Sequence, residues 1–109
     1  MMLLIGVPAV ILDAVTGTGE GEAVALPSRT VVLGWQTSFD VAPSVIDMAL
    51  QVAMDITGPW TEIDSSTVVG GEFRTIQNVV AARFVRVDVD TNTGNRAVTV
   101  KVIAKVAAP

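Results

Sequence analysis

The chain is predicted to be all-β: an antiparallel, jelly-roll-like β-sandwich of about eight short strands, preceded by an extended N-terminal arm. Three observations predict it. Apolar and polar residues alternate strictly near the end of the chain: Val85, Val87 and Val89 interleave with Arg86, Asp88 and Asp90, and Val98, Val100 and Val102 with Thr99 and Lys101. Alternation of period two, rich in β-branched residues, marks strands with one buried face. Clusters of Gly, Pro, Asn, Asp and Ser punctuate the chain at short, even intervals, as turns between strands do. No segment makes a convincing helix. The 109 residues suffice for one domain with one core, and residues 1–109 are read as a single β-sandwich domain whose first eight form the arm.

Residues 1–7 are apolar, and Pro8 blocks a helix there, which leaves an extended arm. Residues 10–15 form a short strand. The three glycines of residues 16–21 make a loop, because their backbone entropy is too costly inside an element. Residues 22–26 form a strand closed by Pro27 and Ser28. In residues 30–37, Val31, Leu33 and Trp35 share one face and Val32, Gly34 and Gln36 the other. Residues 45–55 alternate longest, with Ile46, Met48, Leu50, Val52 and Met54 on one face. Helix propensity competes there, and the alternation decides for strand. Thr57, Gly58 and Pro59 make a turn before a strand at 60–64, and residues 72–76 form another, with Phe73 and Thr75 on one face. Residues 83–106 close the chain as a predicted hairpin around the Asn- and Gly-rich turn at 91–95.

Composition excludes more than it identifies. Charged residues are 17% and apolar ones 50%, which is apolar for a small domain and points to a face covered by another chain. The net charge is −4, with seven scattered Lys and Arg, so neither nucleic acid nor an anionic membrane surface is an expected partner. No Lys or Arg precedes Arg29, which argues against a secretory signal. The first apolar run, interrupted by Gly6 and Pro8, is too short to span a bilayer.

The candidate motifs are weak. Asp88, Asp90 and Asn92 match the first ligands of a calcium loop. Thr93 then stands where glycine is needed and Thr99 where the bidentate Glu is needed, so an Asp- and Asn-rich turn is the better reading. The Gly17–Gly21 segment lacks a Walker lysine and carries Glu20 and Glu22, which would repel phosphate. His and Cys are absent, which removes the usual base and thiolate. Glu62 and Asp64 share parity, as carboxylates on a solvated strand commonly do. No enzyme activity, catalytic residue, metal or cofactor is expected. Trp35 is in phase with the core, whereas Trp60 after the Gly-Pro turn is equally suited to the core or to stacking on a sugar.

Residues 50–55 and 58–63, with Ala82–Val87 and Val98–Val102, resemble small β-sandwich proteins of tailed-phage virions, whose strands carry patterns such as L-x-G-S-x-D-G-x-x-W and A-R-Y-V-R-V. Ala53 and Met54 stand where Gly and Ser are usual in the first pattern. Discoidin-like carbohydrate modules carry a similar R-Y-I-R strand, but this chain is shorter and lacks their cysteines. The resemblance implies a head decoration (cement) protein on the capsid exterior. Its partners would be the major capsid protein and copies of itself, with a trimer favoured. The interface expected from it is the arm, through Leu3, Leu4, Ile5 and Val7, together with Trp60. The alternatives are a carbohydrate-binding module of a tail or fibre, using Trp60 and nearby acids, and a small tail or connector subunit.

Overall fold

In the computed structural model the alternating segments become strands of two antiparallel sheets with their apolar faces together. The structure describes residues 2–4, by their backbone, and residues 9–79 and 82–107. Among these, ten strands follow in order: β1 (Met2–Leu4), β2 (Ala9–Val15), β3 (Gly19–Glu20), β4 (Val24–Ala25), β5 (Thr30–Phe39), β6 (Ile46–Ala53), β7 (Thr61–Ser66), β8 (Phe73–Ile76), β9 (Phe84–Asn92) and β10 (Val98–Ala107). One sheet runs β1-β10-β5-β8, with β2 beside β1 on the same edge of β10. The other runs β3-β9-β6-β7, with β4 likewise beside β3 along β9. The expected all-β sandwich is the observed fold.

Each long strand feeds one row of side chains into the core. Leu33 and Trp35 from β5 and Val98, Val100 and Val102 from β10 meet Ile46, Met48 and Leu50 from β6 and Val85, Val87 and Val89 from β9. Removing these side chains from water is the main driving force for the fold, at about 25 cal/mol per Å² of apolar area.

The predicted closing hairpin is corrected. β9 pairs with β6, β3 and β4, whereas β10 pairs with β5, β1 and β2, so the two strands lie in different sheets. Alternation reports that one face is buried, but it does not name the strand alongside. The valine rows of β9 and β10 face each other across the core instead of sharing one sheet face. Asn92 holds the corner between them. Its amide nitrogen donates to the Arg96 carbonyl (2.9 Å) and to the Gly17 carbonyl (3.3 Å), and its oxygen accepts from the Arg96 amide (3.1 Å). The residue that suggested a calcium ligand is therefore a buried corner brace.

Three smaller corrections follow. The strand expected at 22–26 contracts to β4, and part of the glycine loop pairs with β9 as β3. β6 ends at Ala53, so Met54 leaves the core row and is 74% exposed. The arm at residues 2–4 is extended as expected, but its backbone pairs with β10 from Met2 opposite Ala107 to Leu4 opposite Lys105, which makes it part of the sheet.

The gap between edge strands β7 and β8 is closed by polar groups. The Trp35 indole Nε1–H donates to Asp64 Oδ2 at 2.8 Å, and Arg74 Nε donates to the same oxygen at 2.7 Å. Beside them, the Ser66 hydroxyl donates to Glu72 Oε1 at 2.6 Å. Burial acts to raise the Asp64 pKa. Hydrogen bonds from Arg74, Trp35 and the Ser65 backbone, with the charge of Arg74, outweigh it and hold the carboxyl below its ordinary value of 3.8. Asp64 is thus part of a seam joining the sheets, and its pairing with Glu62 is only sequential.

Candidate interaction surfaces

Strand pairing decides which residues share a surface. On the outer face of the β1-β10-β5-β8 sheet, Phe73 of β8 lies opposite Gln36 of β5, which lies opposite Lys101 of β10. In the next row Thr75 lies opposite Gly34, and Gly34 opposite Ile103. In the third, Val32 lies opposite Lys105. Gly34 is the key to this face. A Cβ there would sit 2.8 Å from Phe73 Cζ and 3.2 Å from an Ile103 methyl. Its bare backbone therefore seats the tip of the Phe73 ring, which stays 60% exposed. A hollow of about 240 Å³ opens on the Lys105 side of the ring and a smaller one of about 60 Å³ on the Lys101 side.

The outer face of the other sheet is organised around Arg86. Its guanidinium lies 4.2 Å from the centroid of the Trp60 ring. Its Nε donates to Gln51 Oε1 at 2.7 Å, and it pairs with Glu20 at 3.1 Å. Glu62 lies opposite Gln51, and Asp88 lies opposite Ala49 and Glu20. Trp60 is half-buried, and one face of its ring is covered by Arg86. The residue singled out as a sugar platform is therefore partly occupied by its own protein.

Of the other expected interface residues, Leu3 and Leu4 lie in β1 at the edge of the first sheet, opposite Val106 and Lys105. Ile5 and Val7 lie outside the described residues. Trp60 immediately precedes β7, which starts at Thr61 and not at residue 60 as expected, and its ring lies against Arg86 of the second sheet. Large apolar side chains are also exposed elsewhere: Val10 and Val15 on β2, Val41 and Val45 before β6, and Met54 and Ile56 after it. Val10 and Val15 border a cavity of about 380 Å³ under the glycine loop, where Glu20 and Glu22 add acid. Among the described residues, no group of three or more His, Cys, Asp or Glu is placed to hold a metal ion.

Sequence reading missed Phe73 as a surface residue. The available signal was the outward parity of Phe73 and Thr75 together with a glycine at the centre of a long neighbouring strand. Which strand lies beside β8 is not written in either segment.

No protein-family model matches the chain, and no curated protein matches it. Solved structures share its fold. It is similar to the SPBc2 prophage-derived protein YomS, at 18% identity and a TM-score of 0.67, over 94% of this chain and 98% of that one. It is similar to a structure of Bacillus endospore appendages, described as disulfide-linked pili, at 11% identity and a TM-score of 0.54, over 100% of this chain and 90% of that one. It is also similar to CBM29_1, a family 29 carbohydrate-binding module from Piromyces equi, at 12% identity and a TM-score of 0.56, over 98% of this chain and 75% of that one. The class these likenesses define is the two-sheet antiparallel β-sandwich.

Proposed function

We propose that this chain is a structural virion protein of a tailed phage: a decoration protein that binds the major capsid protein lattice from outside, assembles with copies of itself as a trimer, and stabilises the head. The observation that carries the reading is the end-to-end correspondence with a prophage-derived sandwich, with 94% of one chain matched to 98% of the other. Two features support it. Apolar side chains stand exposed at several places on the sandwich, as expected where other subunits attach. The β1 edge turned away from β10 pairs with no described strand, and open edges accept partner chains. Leu3, Leu4, Ile5 and Val7 form the contact segment in this reading, and the protein has no catalytic role.

Binding to heads of the encoding phage, stripped of this protein, tests the reading. The expected result is saturable binding at a fixed ratio to the major capsid protein, with greater heat resistance of the heads. Deleting residues 1–6 is expected to abolish occupancy while leaving a folded sandwich by circular dichroism. Failure of the intact protein to bind heads would overturn the reading. Purified rings or tubes would favour a tail or connector subunit.

A further inference from the structure

We propose that the outer face of β8, β5 and β10 is a binding site for an acidic oligosaccharide of the uronic-acid class, with Phe73 as stacking platform and Lys101 and Lys105 as carboxylate partners. The site goes beyond the capsid reading and is tested on the isolated protein.

The geometry supplies three requirements at once. A sugar ring presents an apolar face of C–H groups and a polar rim, so it suits an open aromatic ring surrounded by hydrogen-bonding side chains. Phe73 is that ring, seated over Gly34. Gln36, Thr75 and Gln77 stand exposed around it. The larger hollow, about 240 Å³, lies below the ~300 Å³ typical of drug-sized sites and so suits a single ring.

Charge selects the class of sugar. Lys101 and Lys105 are exposed on this face, and neither is ion-paired with a described residue. Four residues apart on β10, they stand roughly 13 Å from each other, one beside each hollow. A chain of carboxylated sugars running past Phe73 would meet one ammonium on either side of the ring. Two cations on a protein of net charge −4 are too few for a phosphate backbone. A protein partner fits less well, because Val32 is already buried and the exposed apolar area narrows to Phe73 and part of Ile103.

The test is an NMR titration of the full chain with galacturonate, guluronate and glucuronate oligosaccharides, with cello-oligosaccharides and oligodeoxythymidylate as comparisons. At least one acidic series should give saturable amide shifts centred on Gln36, Phe73, Thr75 and Ile103, weakened by salt. Phe73→Ala should weaken that binding about tenfold or more, and the double variant Lys101→Gln, Lys105→Gln by about tenfold with loss of the salt effect. Gly34→Ala should weaken it with Phe73 still present, because the new methyl displaces the ring. Unchanged circular dichroism separates each loss from unfolding. The proposal is overturned if no acidic series binds, if Phe73→Ala binds as before, if cello-oligosaccharides bind equally well, if the oligonucleotide is preferred, or if light scattering shows Phe73-dependent self-association.

Discussion

The two sheets present the same kind of inner face and opposite kinds of outer face. Inside, both offer rows of valine and leucine with almost no exposure. Outside, the face around β5 is open: an aromatic ring 60% exposed and two lysines with no ion pair to a described residue. The face around β9 is closed. Trp60 lies under Arg86, and Arg86 is held by Gln51 and Glu20 among further carboxylates. An aromatic residue near the surface is thus a platform only where its ring face is free. Here the smaller ring is the free one, because a glycine neighbour seats it and no cation among the described residues caps it.

Substitutions on the two sheets test this contrast. The inner faces should behave alike, with Trp35→Ala costing about 3–5 kcal/mol and Leu50→Ala about 2–5 kcal/mol in urea unfolding. A large inequality, with one of them near zero, would show that the core is not shared equally. Asp64→Asn should cost about 1–3 kcal/mol at pH 7, since it removes the charged acceptor of Trp35 and Arg74. Because the folded Asp64 pKa is lowered, its contribution is complete above the ordinary value of 3.8 and is lost as pH falls through the folded value. Wild-type stability should therefore fall more steeply than that of Asp64→Asn below about pH 4. Parallel curves would assign the acid sensitivity to other carboxylates. Trp60→Ala should cost about 1 kcal/mol, through loss of its contact with Arg86. Phe73→Ala should change stability by no more than about 0.5 kcal/mol, as befits an exposed side chain. If Phe73→Ala proves the more damaging of this last pair, the assignment of open and closed faces is reversed.

Much of the fold was legible in the sequence because parity is a local property. Val85, Val87 and Val89 announce a buried face whatever lies alongside, and Trp35 in phase with Leu33 reads as core. Pairing is not local. The segment ending at Asn92 and the one starting at Val98 look like hairpin arms, but their pairings place them in different sheets, with the three hydrogen bonds of the buried Asn92 side chain bracing the corner between them. The same limit hid the candidate site. Gly34, Phe73 and Lys101 come together through two strand pairings that no one segment encodes. For Trp60 the sequence left core and surface equally open, and its cover, Arg86, is brought over it from β9.

The placement of β10 also bears on how the protein is made. This strand forms the spine of its sheet, receiving β5 on one side and β1 and β2 on the other, with Met2 opposite Ala107. Its residues are translated after those of every strand it joins. Until Val98–Ala107 have left the ribosome, three earlier strands wait without their shared partner, their apolar rows exposed to solvent and to each other. Completion of this sheet therefore waits for the last of its strands and is dominated by pairings distant in sequence, a topology that folds slowly and leaves the nascent chain open to aggregation. A ribosome-bound chain stalled before Val98 should remain protease-sensitive over β1, β2 and β5, and should become resistant only once the last strand is free.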